Sequence, residues 1–457
     1  MTTRRNFLRS SALGVAAIAA PATVTAASEN PASIKETGKL KTGIAREIIT
    51  PPIGGLLFGY GSDKPSTVVN DELTVTALAL EYGNSRVVLM SATVCLIDNA
   101  LNEKLRLLCG EAAGVPATNV ILSATHTHSG PVMNDEYNAQ IFIPKCVAAA
   151  KASVQNMKPA TVGVATTESK VGINRRKLTP EDRVLLSNNP WAPFDSEMTV
   201  ISFRDADKKT IANIVHYAAH CTAAGINTEI TRDWIGVMLD RLDKESGGIT
   251  MFLQGMQGDV GPRLPNGEDK GDINYAMELG AVAALDAVRA YKNIRAYGAE
   301  ELMITTGEVK LPHAPLMPLD EAKAELAKLE AATAGRWTAG NRNNLTRIIE
   351  LHEKGDTGES FFTYPQTLIK TGAIVFVPVP FEVSSEISLR MRAYSKYGHT
   401  LALGCANGSN SYIVSQDQIC RGGYEVERFT SRARQFVDNV DMHLINQNLQ
   451  LMKAFDS

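Results

Sequence analysis

Ser123-Ala124-Thr125-His126-Thr127-His128-Ser129-Gly130-Pro131 is the stretch on which the reading of this chain turns. It follows Asn119-Val120-Ile121-Leu122, an apolar run that predicts a short buried strand. Where a strand breaks at Gly-Pro, two histidines two residues apart fall on one face of an extended backbone. One metal ion can then take either imidazole, or one ring can ligate while the other handles protons. A bare His-x-His is also an ordinary pair of polar residues on a strand, so further ligands have to come from elsewhere in the chain.

The first residues read as an address. Arg4-Arg5-Asn6-Phe7-Leu8-Arg9 is a twin-arginine pattern, followed by a mild apolar run from Ala12 to Ala20 and small residues up to Ala27. That run is too short to span a membrane as a mature helix, so residues 1–27 are predicted to be a removed export signal. The expected partner is the twin-arginine export machinery and the expected location is periplasmic or secreted. Residues 28–41, rich in Ser, Glu and Lys, predict a flexible leader, and 42–457 a single large domain.

No later segment is long and apolar enough for an integral membrane helix. Net charge is −3 with no Lys/Arg block beyond the signal, which argues against nucleic acid as a partner. The six cysteines are scattered, with no Cys-x-x-Cys pair to make a thiolate zinc site. Several sit inside apolar runs, as Cys95 does, and read as buried free thiols. Cys405 and Cys420 flank a Gly/Asn/Ser-rich loop and could pair in an oxidising compartment.

Local patterns outline an α/β fold. Thr74–Tyr82 and Arg86–Met90, joined by Gly83-Asn84-Ser85, predict a hairpin, and Met198–Phe203 with Ile211–Tyr217 a second one. Helical periodicity covers about 100–113, Trp234–Lys244, Tyr275–Tyr291, Leu319–Ala332 and a closing stretch from Ser431 to Phe455. Strands are predicted at Ile249–Leu253 and Gly372–Val377. The alternation implies a mixed β-sheet core with hairpins, flanked by helices. The polar segment from Ala314 to Gly358 is expected to be an excursion over the site.

Four further segments carry candidate chemistry. Val215-His216-Tyr217-Ala218-Ala219-His220-Cys221-Thr222 ends the second hairpin; His216 reads as a satisfied core histidine, and His220, at the break into a loop, as a ligand. Gln257-Gly258-Asp259-Val260-Gly261-Pro262 is a tight turn after a strand. Pro378-Val379-Pro380-Phe381-Glu382 leads into a helical pattern; Glu382 is preferred over Glu386 as the site carboxylate because it follows the proline at the strand end. Asn407-Gly408-Ser409-Asn410-Ser411-Tyr412 and Gly423-Tyr424-Glu425 bring two tyrosines to one loop region.

Taken in order, these elements resemble the neutral, non-lysosomal ceramidase family over about Gly43 to Glu427. Thr-His-Thr-His-Ser-Gly-Pro is similar to that family's signature. The resemblance implies a ceramidase-like catalytic domain lacking the family's C-terminal β-sandwich domain. It also implies a zinc ion held by His126, His220, Glu382 and Tyr412. His128 is then the candidate for proton transfer, and Arg175, from an Ile173-Asn174-Arg175 element, and Tyr424 are candidates for holding the oxyanion. The implied activity is hydrolysis of a linear amide in a small-molecule or lipid-like acyl substrate, by zinc-activated water. A metal-dependent esterase or lactonase, or a silent binding protein, are the alternatives on the same scaffold. One position departs from the family: Gly261 stands where ceramidases carry a serine, and long-chain ceramide is therefore expected to be a weak substrate.

Overall fold

The structure is a computed structural model that describes residues 39–60, 64–331, 338–355 and 360–456. The predicted export signal and most of the leader lie outside the described residues. Order begins earlier than expected. Leu40 is already fully buried, and β1 runs from Lys41 to Ile48, paired along its length with β2, Thr74–Tyr82.

Three sheets build the core. In the first, β2 forms the predicted hairpin with β3 (Ser85–Ala92), and β3 pairs in parallel with β4 (Val120–Ala124) after the helix α1 (Asn99–Ala113). α2 (Ile143–Gln155) leads into the second sheet, made of β5 (Thr161–Glu168), β7 (Glu197–Arg204) and β8 (Thr210–Tyr217), with the short β6 (Gly172–Asn174) apart from it. β8 then pairs in parallel with β9 (Ile249–Gln254), reached through α3 (Trp234–Ser246). β10 (Val260–Pro262) returns to pair with β6, and α4 (Ile273–Lys292) follows.

The third sheet opens with β11 (Leu302–Pro312), then passes through α5 (Leu319–Ala331) and α6 (Thr338–Glu353) to β12 (Phe361–Thr371) and β13 (Ile374–Pro378). After β14 (Glu382–Val383) and α7 (Ser385–Tyr394), β15 (His399–Leu403) pairs in parallel with β13. β16 (Tyr412–Ile413), α8 (Tyr424–Thr430) and α9 (Val440–Met452) close the described chain.

Each sheet turns one face to a common core. Leu89 and Ile121 from the first sheet, Ile214 and Leu253 from the second, and Phe376 and Leu401 from the third belong to one buried cluster. The opposite faces are covered by helices: α1 and α2 on the first sheet, α3 and α4 on the second, α7 and α9 on the third. Strands buried on both faces need apolar side chains in both directions, which is why Val87-Val88-Leu89-Met90 and Val375-Phe376-Val377 read as unbroken apolar runs rather than alternations.

Several expectations need correction. The closing helix does not run from Ser431. Residues 431–439 are used instead as a bent strap: the Ala314 amide donates to Gln435, Val437 donates to Pro312, and Phe436 stacks on His313. Pairing with the end of β11 competes with helix there and wins, since Phe436 is also buried against Phe362, Phe381 and Phe429. Gly372 is the left-handed turn of the β12–β13 hairpin (φ +56°), not the start of a strand. The excursion from Ala314 forms α5 and α6, which pack on each other and on the strap, through Asn344 and Ser431 among others. Among the described residues, none from this segment lines the site cavity.

Candidate metal centre

Three of the expected ligands lie just past the carboxyl ends of strands that have parallel partners, the place where open α/β sheets leave crevices, and Tyr412 opens the short β16 after the loop that follows β15. His126 follows β4, His220 follows β8, Glu382 follows β13, and Tyr412 follows β15. The reasoning that put His126 and His128 on one face of an extended strand does not hold. β4 ends at Ala124, and His126 takes a left-handed conformation (φ +66°), sparse for a residue with a side chain. The chain is turned there by bonds from the His126 amide to Val94 and from the Thr125 amide to Ala92. The two rings reach one cavity through this kink, with centroids 4.9 Å apart.

Backbone carbonyls orient both buried ligand imidazoles. His126 Nδ1 is 2.9 Å from the Cys95 oxygen, and His220 Nδ1 is 3.0 Å from both the Gln257 and Val260 oxygens. Carbonyls only accept, so the hydrogen-bond network assigns the proton of each ring to Nδ1 and leaves Nε2 with a lone pair. Both Nε2 atoms stand 3.2 Å from the same Glu382 Oε2. The donor atoms of His126, His220 and Glu382 all lie within 4.8 Å of one another. Two nitrogen lone pairs aimed at a carboxylate repel unless a cation sits among them. The set therefore fits a divalent metal such as zinc, down to the second partners that fix the ring orientation.

A local pairing brings in the phenol. β14 and β16 run in parallel with Glu382 opposite Tyr412, so acid and hydroxyl share one edge and interact. Arg175 Nη2 donates to the Tyr412 hydroxyl at 3.1 Å and to the Gly258 oxygen at 2.9 Å, while its Nε donates to Glu425 at 2.8 Å. Arg176 takes the other Glu425 oxygen at 2.6 Å. Glu425 is completely buried between these two guanidiniums. Arg175 therefore acts on the site through Tyr412, behind the cavity wall, whereas Tyr424 lines the cavity itself.

Charge follows this geometry. Burial lowers His220 to about 4, with the Arg175 cation adding to the effect. Burial and then the neighbouring His126 and His220 rings hold His128 well below the usual histidine range. Burial alone would raise Glu382, but imidazoles that present an Nε2 proton to it outweigh this and hold its carboxyl well below the ordinary value, and a metal cation would take the place of that proton. Burial also pushes the Tyr412 phenol far up, and the Glu382 carboxylate pushes it further.

Of the remaining expected residues, Glu386 sits in the first turn of α7, where it is paired with Arg390 and faces away from the imidazoles. His216 is a core histidine, its Nε2 on the Ala402 oxygen at 3.1 Å. Cys405 is buried, Cys420 is exposed, and both are free thiols. Gly261 lies opposite Ile173 in the β6–β10 pair, next to Arg175.

The structure adds residues that sequence reasoning missed. Cys95 and Cys405 place their sulfurs 3.8 and 3.7 Å from His126 Nδ1. Asp233, at φ +60°, caps α3 and takes the amides of Ala223, Ala224 and Trp234, while Trp234 Nε1 holds the His220 carbonyl at 3.0 Å. Tyr60 packs edge-on against His128. No sequence pattern marks these residues, because each acts by meeting a distant segment.

The cavity in front of Glu382 has a volume of about 540 Å³ and is lined by His126, His128, Tyr412 and Tyr424 together with Phe58 and Tyr60. Comparison with known proteins bears on the fold around this cavity. A solved structure of neutral ceramidase from Pseudomonas aeruginosa superposes with a TM-score of 0.71 at 18% identity, covering 92% of this chain and 75% of that one. The two chains share a fold. A second solved ceramidase, complexed with C2, gives a TM-score of 0.68 over the same shares of the two chains. Neutral ceramidase B of Dictyostelium discoideum is 26% identical over 231 residues, 43% of this chain and 32% of that protein. The matched stretch thus spans about a third of that relative's length. No family model matches the chain. The fold is a mixed α/β architecture matching the solved neutral ceramidase over 75% of that chain.

Proposed function

We propose that this chain is an exported zinc-dependent hydrolase of acyl bonds, acting on a linear amide. One observation carries the reading: two Nε2 lone pairs and one carboxylate oxygen converge at 3.2 Å, each imidazole locked by a backbone carbonyl on its other nitrogen. The likeness to proteins named neutral ceramidase supports an amide as the bond cleaved. Export rests on the Arg4-Arg5 pattern at the start of the chain.

His126, His220 and Glu382 would hold the zinc, with Tyr412 beside them as the fourth ligand. When bound, zinc supplies a Lewis acid for the scissile carbonyl and lowers the pKa of a water molecule towards neutrality. His128 then does the proton work. Its Nε2 lies 3.3 Å from His126 Nε2, within reach of an attacking water whose proton it can accept. The same ring returns that proton to the leaving nitrogen. Tyr424, on the cavity wall, offers its hydroxyl to the developing oxyanion, and Arg175 holds the Tyr412 phenol in place from behind. Gly261 has no hydroxyl to attack with, so no covalent acyl-enzyme forms.

Elemental analysis of the purified protein tests the ligand set, alongside turnover on paired amide and ester substrates that include ceramide and short acyl amides. One zinc per chain in the wild type and little in His126→Ala and His220→Ala is the expected result. Full zinc occupancy in both variants would remove the assignment. Cleavage of the esters alone would move the chain to an esterase.

A further inference from the structure

α4 (Ile273–Lys292), far from the proposed chemistry, turns one side to the protein and the other to solvent. Its inner side is built for close approach: Ala276, Ala283, Ala287 and Ala290 are buried, and a Cβ on Gly280 would lie 2.6 Å from the Trp234 oxygen of α3. The outer side lacks the polar surface of a solvated helix. Met277 is 53% exposed, Val282 50% and Leu285 65%, and Ala281 is exposed between them. Single exposed apolar residues are ordinary, whereas several aligned on one helix face mark a contact surface.

The arrangement on that face is ordered. At about 100° per residue, Ala281 and Leu285 run down its middle, with Met277 and the half-buried Val288 along one flank and Glu278 and Arg289 along the other. Glu278 is exposed, and Arg289, bonded to Asp286 of the same helix, keeps a side chain that is 56% exposed. The acid therefore stands towards one end of the stripe and the base towards the other.

We propose that this face is a self-association surface, on which a second copy of this chain docks its own α4 antiparallel about a two-fold axis. In such a pair each flank meets the same flank of the other copy, with the residue order reversed. One register then serves every position. Ala281 meets Leu285 of the second copy, small against large; Glu278 meets its Arg289, and Met277 its Val288. The three pairs share a midpoint at Ala283 to within about half a residue. A lipid surface or an unrelated protein would not call for this two-fold match of size, apolarity and charge on one helix. The match is what selects a second copy as the occupant, and the charge pairs set orientation more than affinity.

Sedimentation equilibrium of the full-length protein reads the association. Two 20-residue helices make a contact at the small end of specific interfaces, so the dimer should half-dissociate on the order of micromolar concentration. Leu285→Arg should weaken it roughly a hundredfold by burying an unpaired charge against Ala281, with a melting temperature within about 1 °C of wild type. Glu278→Arg and Arg289→Glu should each weaken it roughly tenfold, because like charges then face each other. An equimolar mixture of those two variants should recover the dimer, since each copy offers the other the opposite charge at both places. If Leu285→Arg does not fold, this mixture decides. A wild type that stays monomeric at about 100 µM overturns the proposal, as does a dimer indifferent to Leu285→Arg. Failure of the mixture to recover the dimer overturns the antiparallel register. A monomer that instead sediments with phosphatidylcholine vesicles, and loses them in Leu285→Arg, would give the face to a lipid surface and refute the second copy.

Discussion

Replacing Glu425 by Gln removes the negative charge from a site where it is buried between two guanidiniums. Its oxygens accept from Arg175 Nε at 2.8 Å and from Arg176 Nη1 at 2.6 Å, and none of its side chain is exposed. The side chains of Arg175 and Arg176 are themselves only 4% and 5% exposed, so water cannot take over the lost partner. Removing one member of such a buried set costs about 3–5 kcal/mol, because it strands uncompensated charge. An unfolding entropy of about 2.1 cal/mol/K per residue over roughly 420 residues gives about 0.9 kcal/mol/K, so the melting temperature should fall by about 3–6 °C. The effect should reach the metal centre as well, since the Arg175 head that Glu425 holds also donates to Tyr412. Differential scanning fluorimetry together with zinc analysis of Glu425→Gln is the assay. The double variant Glu425→Gln with Arg176→Met removes one stranded cation and should recover part of the loss. A single variant that melts within about 1 °C of wild type, with the same zinc content, would refute the argument that Glu425 neutralises a buried cationic pair.

Four other outcomes follow from the geometry. His128→Ala should keep its zinc and lose roughly 10²–10⁴-fold in turnover, the range for a positioned acid or base; loss of metal in step with activity would make it a ligand instead. Gly261→Ser should fold normally, because its Cβ would meet Arg175 Cβ and Asp269 Cβ at 3.4 Å, at contact distance; a melting temperature lower by several degrees would contradict this. Mass spectrometry of wild type during turnover should find no acyl adduct. Asp233 gives a pH signature. Burial raises its carboxyl from 3.8 to about 6 against the pull of three backbone amides, so the folded state holds the proton more tightly than the unfolded one. Its contribution to stability is then lost as pH rises from the unfolded value to the folded one, on the order of 3 kcal/mol by pH 7. Asp233→Asn should gain about that much relative to wild type between about pH 4 and pH 7. Parallel stability curves for the two proteins would sink it.

Residues whose meaning depends on near neighbours were readable in advance. The hairpins β2–β3 and β7–β8 lie where their alternation and turn residues placed them, because pairing across a tight turn is decided within about 20 residues. α1, α3 and α4 likewise follow their apolar periodicity to within a residue or two. The order of the histidine motif, His220, Glu382 and Tyr412 carried the family likeness, since a strand end and a proline or glycine break can be seen locally. Local geometry misled at two places. Neither the left-handed turn at His126 nor the strap at residues 431–439 is written in propensity, because each is imposed by hydrogen bonds to segments far away in the chain. Tertiary structure alone decided which nitrogen of each imidazole faces inward, because the Cys95, Gln257 and Val260 carbonyls that choose the tautomer arrive from other loops. It alone closed Glu425 between Arg175 and Arg176, about 250 residues apart in sequence, and set Tyr60 against His128. The cause is common to all of these. Chain connectivity specifies which side chains exist and which backbone conformations are cheap, whereas the partner that satisfies a buried polar atom is chosen only when three sheets close on one core.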